Sequence, residues 1–227
     1  MCSKIHRWAS AARVSLVVVS LLVLTAPLLA GGVSVGEVDD FEGGTCEDWA
    51  EGGVSPNPPL PVPTGGPMGA GDAYCENVSA GGAGAGSRWV TFNRVQWAGN
   101  YTALGPEVTL SFDVASFPPV PMIAGSPDPE LRLGFEGING DRWVTTTGQT
   151  VPTDGVWRTF LFTLIDTDMT QVLGTDPIAS ALADVFEVRL ISSSTAQWQG
   201  DAQIWRIGID NVLIDSVPVE LQSFSVD

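Results

Sequence analysis

The sequence is poor in the side chains that most enzymes use for covalent or metal chemistry. Its 227 residues include one lysine, one histidine and three cysteines. Lys4 and His6 both lie in the first ten residues, ahead of a long apolar run. The rest of the chain therefore has no residue for a histidine-based catalytic triad, a histidine-ligated zinc ion or a lysine Schiff base.

Residues 1–30 are typical of a secretory signal peptide. Lys4, Arg7 and Arg13 precede an apolar run over residues 14–24, and "TAPLLAGG" then offers small residues for cleavage. The run is shorter than the ~20 residues that span a bilayer. We expect cleavage near Ala30 and a secreted, extracellular or cell-surface protein, with an uncleaved membrane anchor as the alternative.

The chain beyond this leader is strongly acidic. It carries all 26 acidic residues against seven arginines, a net charge of −19. The arginines are Arg88, Arg94, Arg132, Arg142, Arg158, Arg189 and Arg206. Such a surface repels phosphate backbones and anionic lipids, so we expect neither nucleic acid as a partner nor membrane insertion after signal cleavage.

Two cysteines, Cys46 and Cys75, remain once the leader and Cys2 are removed. An even pair in an oxidising compartment predicts a disulfide, and two unpaired buried thiols are the alternative. Closing a loop of ~30 residues would contribute about 3 kcal/mol to stability. The bond would clamp a Gly- and Pro-rich stretch, residues 52–72, that we predict to be a surface loop.

The remaining sequence predicts an all-β protein. Eight segments between residues 73 and 214 are short, rich in β-branched and aromatic residues, and bounded by turn residues. In "VTLSFDV", Leu110, Phe112 and Val114 share one face, and residues 176–184 form the one helix candidate, with Pro177 in the first turn. We predict a two-sheet antiparallel β-sandwich of jelly-roll type over residues 31–214, followed by a linker or a truncated module over 215–227.

Four motifs, "DDFEGGTCEDW", "AGDAYCENV", "VWRTFLFTL" and "IGIDNVLI", resemble carbohydrate-binding modules of the galactose-binding-like superfamily, here in a bacterial secreted protein. The resemblance implies that the first and last strands are neighbours whose carboxylates hold a structural calcium ion. The implied ligands are Asp40, Glu42 and Asp210, with Asp72 as a loop ligand.

Physical chemistry favours the same calcium site. Strand alternation would place Asp40 and Glu42 on one side and Phe41 in the core. Carboxylates held so close repel one another, and calcium takes six to eight oxygen ligands. The alternative is that these acids are ordinary strand-boundary residues in a very acidic chain.

Aromatic and charged side chains provide candidates for binding a sugar. Three aromatic residues lie in turn-like stretches, where exposed rings would stack on a pyranose, although burial in the core is the alternative. A polar strand face includes Asp113, Arg132 and Glu136 with Glu187 and Arg189; it would bind hydroxyl groups, or be a solvated face with weak ion pairs. The predicted ligand-binding residues are Trp97, Tyr101, Asp113, Arg132, Glu136 and Trp143.

These observations predict a secreted, non-catalytic module that binds carbohydrate or extracellular matrix and holds a structural calcium ion. The second hypothesis is a structural or adhesion passenger domain of a cell-surface protein that binds protein rather than glycan. The third is a glycoside-active enzyme that uses Asp113 and Glu136 as its carboxylate pair.

Overall fold

The computed structural model describes residues 32–118 and 127–216. This part of the chain contains twelve β-strands and one short α-helix. The strands are β1 (Val38–Asp39), β2 (Leu60–Val62), β3 (Tyr74–Val78), β4 (Val90–Asn93), β5 (Val108–Phe117), β6 (Glu130–Gly137), β7 (Arg142–Thr145), β8 (Gln149–Thr150), β9 (Arg158–Thr163), β10 (Met169–Leu173), β11 (Val185–Ser192) and β12 (Arg206–Ser216); the helix is α1 (Ile178–Ala183). Short 3-10 turns lie at Tyr101–Ala103 and Asp166–Asp168.

The strands form two antiparallel sheets. The first sheet has the order β2-β3-β12-β5-β9, and β1 also pairs with β12. The second sheet has the order β10-β7-β6-β11-β4, and β8 also pairs with β6. The predicted all-β sandwich is confirmed, and so is the predicted contact between the first and last strands, since Val38 pairs with Leu213.

The core between the sheets follows the alternation read from the sequence. Leu110, Phe112 and Val114 of β5 are fully buried, as are the apolar residues at alternate positions of β6, Leu131 and Leu133. Their polar neighbours along the strands point to the opposite faces, because successive strand residues alternate. Each sheet therefore has one face in a shared core and one outer face that is available for a site.

Predicted elements differ from the observed ones in four places. The loop predicted over residues 52–72 contains an edge strand, β2, where Pro61 is tolerated because a position of an edge strand whose N–H would face solvent needs no donor. β8 has no apolar residue, β10 lacks apolar–polar alternation, and neither strand was predicted. α1 lies inside the predicted 176–184 with Pro177 at its N-cap, and β12 extends to Ser216 rather than ending at 214.

The disulfide between Cys46 and Cys75 is confirmed, with 5.3 Å between the two Cα atoms. It ties the segment after β1 to the middle of the first sheet. The predicted signal peptide and most of the predicted linker lie outside the described residues. In the part of the chain that the structure describes, no helix has the length and apolar character needed to cross a membrane.

Candidate functional site

The outer face of the second sheet carries rows of charged residues across its strands. Val188 and Leu190 of β11 face the core, so Glu187 and Arg189 face outward. The strand register places Arg189 beside Gly134 of β6. It also lines up Glu187, Glu136 and Arg142 across three adjacent strands.

Aromatic rings and guanidinium groups alternate along this face. The guanidinium of Arg94 lies 4.5 Å from the ring centre of Phe92, and that of Arg189 lies 5.4 Å from the same ring. Arg189 and Arg142 both lie over Trp198, at 4.2 and 4.9 Å. We call these five residues, Phe92, Arg94, Arg142, Arg189 and Trp198, the aromatic–arginine ladder. Each such contact is worth about 0.5–2 kcal/mol, depending on its exposure.

Trp198 is held on the sheet because Gly134 leaves room for it. A Cβ atom on Gly134 would lie 3.0 Å from Cζ3 of Trp198 and 3.2 Å from the carbonyl oxygen of Trp143. The indole also packs against Val144 and Ile191, and Nη1 of Arg189 donates to the Trp198 carbonyl oxygen at 3.0 Å. Its ring is thus fixed in position while staying partly exposed.

Two glutamates orient the arginines of the ladder. Glu187, whose side chain is 0% exposed, accepts hydrogen bonds from both Arg94 and Arg189. Glu136 accepts one from Nε of Arg142 at 2.9 Å. Burial lowers the pKa of Arg189, Glu187 opposes that shift, and the charges of Arg142 and Arg94 add to it. The three guanidinium groups are therefore close enough to repel one another.

Arg132 is not available to a ligand, contrary to the sequence-based expectation. Its side chain is buried, and its N–H groups donate to four backbone carbonyls and to Glu130. These bonds use the five donors of a guanidinium group. Arg132 therefore fastens the loop that follows β11 to the strands beneath it.

The predicted exposure of three aromatic residues is wrong. Trp97, Tyr101 and Trp143 are 0%, 1% and 8% exposed and belong to the core. Nε1 of Trp97 donates to the buried carboxylate of Asp39, and the Tyr101 hydroxyl donates to the Trp97 carbonyl oxygen. The turn-like stretch that holds Trp97 and Tyr101 is buried because the polar atoms of these two side chains find partners inside the protein.

Asp113 lies on the other outer face. It belongs to β5 of the first sheet, where it accepts hydrogen bonds from Thr159 and Asn211. Glu136 is on the outer face of the second sheet, so the core separates the two carboxylates. The polar surface predicted to include both is split in two, and the pair does not form the arrangement expected for glycoside hydrolysis.

Carboxylates also meet on the outer face of the first sheet. A bulge in β12 follows Asp210, and Asn211 has a left-handed backbone with φ 45°. Asp210 is 1% exposed, and its Oδ2 has no hydrogen-bond partner within residues 32–118 and 127–216. A Cβ on Gly66 would lie 2.6 Å from Oδ2 of Asp72 and 2.9 Å from Oδ2 of Asp210, so both oxygens face the same glycine.

The surroundings of Asp210 disfavour its charged form. Burial raises the pKa of Asp210 to about 7; the backbone N–H of Asn211 opposes this, and the charges of Asp72, Asp113 and Glu42 add to it. Glu42 reaches the Asp72 loop, because its Oε1 accepts the backbone N–H of Ala73 at 2.9 Å.

Asp40 and Glu42 do not lie on a strand, contrary to the sequence-based expectation. β1 ends at Asp39, and Phe41 is buried but has a left-handed backbone with φ 53°, so the strand alternation assumed for Asp40 and Glu42 is wrong. Asp40 is exposed and accepts the N–H of Glu42. Among the described residues, no group of three or more His, Cys, Asp or Glu side chains is already arranged to hold a metal ion.

No protein-family model matches the sequence, and no curated protein matches it. Solved structures do match. An exo-β-agarase matches with a TM-score of 0.54 and 13% identity over 82% of this chain, which spans only 26% of the agarase chain. CtCBM11 matches with a TM-score of 0.47 and 20% identity, covering 81% of this chain and 97% of that one. The CBM22-2 xylan-binding domain of Paenibacillus barcinonensis Xyn10C matches with a TM-score of 0.44 and 12% identity, covering 80% and 99%.

Similarity at these identities shows a shared fold and nothing about the ligand. The two-sheet antiparallel β-sandwich expected from the sequence is confirmed as a fold, and part of the exo-β-agarase chain shares it.

Proposed function

We propose that this protein is a secreted, non-catalytic module that binds a glycan on the outer face of its second sheet. The observation that carries the proposal is Trp198, a partly exposed ring that packs over Gly134 and has the guanidinium groups of Arg142 and Arg189 at 4.9 and 4.2 Å from its centre. A sandwich that only needed to be soluble would gain little from an indole fastened to a charged surface.

The ladder supplies both kinds of contact that a sugar requires. A pyranose presents C–H groups to aromatic rings and hydroxyl groups to hydrogen-bond partners. Trp198 offers the ring, Arg142 offers N–H donors and Glu136 offers acceptor oxygens within one small area. These groups are already held in place, so little conformational entropy is lost on binding.

The test is glycan binding by the variant Trp198→Ala. Trp157→Ala is the matched control, because Trp157 is also a partly exposed tryptophan but contacts Tyr74 and Phe117 on the outer face of the first sheet. We expect Trp198→Ala to weaken binding to the preferred polysaccharide about tenfold, and Trp157→Ala to leave it unchanged.

Affinity electrophoresis against a panel of plant and algal polysaccharides would identify the ligand, and calorimetry would give the affinities. Circular dichroism would verify that both variants are folded. Loss of binding in Trp157→Ala alone would move the site to the first sheet. Failure of the wild-type protein to bind any polysaccharide would overturn the proposal.

We also propose that Glu42, Asp72 and Asp210 hold a structural calcium ion, with Asp113 close by. Support comes from the buried, unpartnered oxygen of Asp210 and from the mutual repulsion of the carboxylates around it. Oxygen donors of this kind suit calcium. The ion would supply the positive charge that the carboxylates lack, and its ligands would join the segment after β1 to the loop before β3. Asp40 is not required.

A further inference from the structure

The aromatic–arginine ladder has more positive charge than its carboxylates neutralise. The three arginines of the ladder are accompanied by two glutamates. The arginines are Arg94, Arg142 and Arg189, and the glutamates are Glu136 and Glu187. Arg94 and Arg189 share the single carboxylate of Glu187. This surplus contrasts with the net charge of −19 carried by the chain beyond residue 30.

Several terminal nitrogens of these arginines are hydrogen-bond donors without a partner among the described residues. Arg142 uses only Nε, toward Glu136, and among the described residues neither of its Nη atoms has a hydrogen-bond partner. Nη2 of Arg189 and Nη1 of Arg94 likewise have no hydrogen-bond partner among the described residues. The side chain of Arg142 is 32% exposed, so its free edge can be reached from solvent.

A guanidinium edge with two free N–H groups suits an oxyanion. A sulfate or carboxylate accepts two parallel hydrogen bonds from it, whereas a hydroxyl group offers a single oxygen. An anion near Arg142 and Arg189 would also relieve the repulsion between them. Because both guanidinium groups are stacked on Trp198, their directions are fixed before any ligand arrives.

We propose that the glycan bound by the ladder is acidic, with sulfate or carboxylate groups that pair with the terminal nitrogens of Arg142, Arg94 and Arg189. This inference rests on the proposed function and names the chemical class of its ligand.

The net negative charge of the rest of the protein does not prevent an acidic glycan from binding at the ladder. At an ionic strength of about 0.15 M, charges are screened over ~8 Å. The outer faces of the two packed sheets are more than ~10 Å apart, and the carboxylates on the outer face of the first sheet interact with a ligand at the ladder mainly through solvent, so they act on it only weakly. Direct, charge-assisted hydrogen bonds are far less affected by salt.

The experiment compares acidic polysaccharides with their neutral derivatives at 0.15 M salt. One arm uses a sulfated galactan and its chemically desulfated form, and the other uses a polyuronate and its carboxyl-reduced form. We expect the protein to bind the acidic polymer of one arm at least tenfold more tightly than its neutral counterpart. The arm that responds identifies the acidic group.

Variants then assign the effect to the ladder. Arg142→Gln should lower affinity for the acidic polymer about tenfold more than it lowers affinity for the neutral form, and Arg94→Gln should act in the same direction. Arg158→Gln is the matched control, since Arg158 pairs with Asp154 on the first sheet in an exposed ion pair. Trp198→Ala should weaken binding to both forms.

The outcomes separate the two proposals. Equal affinity for acidic and neutral forms, with binding still lost in Trp198→Ala, would overturn the acidic-glycan inference and leave the proposed function standing. Unchanged binding of the acidic polymer by folded Arg142→Gln and Arg94→Gln would also overturn the inference. Absence of binding to every polymer would overturn both.

Discussion

Asp39 is the residue on which the packing of the aromatic core depends most. Its buried carboxylate accepts hydrogen bonds from the indole nitrogens of Trp49 and Trp97 and from the side-chain amide of Gln96. The sequence shows five acidic residues around Phe41 but does not distinguish this one from its neighbours. That distinction depends on partners at residues 49, 96 and 97, which no local pattern links to Asp39.

Asp39→Ala should be strongly destabilising, because it leaves two buried indole N–H groups without an acceptor. We expect the free energy of unfolding to fall by about 3 kcal/mol or more. The adjacent Asp40→Ala is the matched control: Asp40 is exposed, and its loss should change stability by no more than about 0.5 kcal/mol. Denaturant unfolding in the presence of a chelator measures both, and equal effects would contradict this role of Asp39.

Glu47 should make stability depend on pH. Burial and the nearby charge of Asp39 raise the pKa of Glu47 from 4.5 to about 7. A carboxyl group whose pKa is raised in the folded state contributes stability that is complete below pH 4.5 and is lost as the pH rises through about 7. Glu47→Gln removes this titration, so its melting temperature should fall less than that of the wild type between pH 5 and 8. Parallel pH profiles for the two proteins would refute the assignment.

At the scale of elements, the strands were predictable where alternation is local. The eight predicted segments all contain strands, because each carries its own apolar face. β2 and β10 lie at sheet edges and were not predicted, because β2 is a three-residue strand within a Gly- and Pro-rich stretch and β10 lacks apolar–polar alternation. Trp198 could not be identified from the sequence, since its position depends on Gly134 in a distant strand and its loop has no periodicity.

Gly134→Ala tests whether the sheet positions Trp198. The added Cβ would meet both the indole and a backbone carbonyl, so the ring must shift. We expect altered tryptophan fluorescence and about tenfold weaker glycan binding. Gly43→Ala is the control, because a Cβ there would lie 4.0 Å from its nearest neighbour, an ordinary contact. Normal binding by a folded Gly134→Ala protein would show that the position of the Trp198 ring over Gly134 is not important for glycan binding.

At the scale of the whole molecule, the sequence predicted the sandwich and the pairing of its first and last strands. It did not predict which residues share an outer face, because that depends on the order of strands within each sheet. Asp113 and Glu136 show the difference: both alternate away from the core, yet they belong to opposite sides of the protein.

The proposed calcium ion should stabilise the whole domain. At a calcium concentration of 100 times its Kd, the gain is about 2.7 kcal/mol, or a rise in melting temperature of roughly 5–10 °C for a domain of this size. The effect should be larger at pH 8 than at pH 5, because protonation of Asp210 competes with the ion.

Asp210→Asn should lose the response to calcium. In chelator at pH 8 the variant should melt no lower than the wild type, since a buried, unpaired charge has been removed. Asp215→Asn, an exposed site on the same strand, should respond to calcium like the wild type. A wild-type melting temperature that is insensitive to calcium would rule out the ion.

The disulfide has a consequence for where the cation site can form. Cys46 follows Glu42 and Cys75 follows Asp72, so this one covalent bond joins the two chain segments that would each bring an oxygen donor. In a reducing cytoplasm the disulfide would not form, and only the Gly- and Pro-rich stretch between the two segments would link them covalently. Bringing the oxygen donors together would then cost conformational entropy. Oxidation after export would thus preassemble the ion's coordination shell, and a reductant should weaken calcium affinity even while the sandwich stays folded.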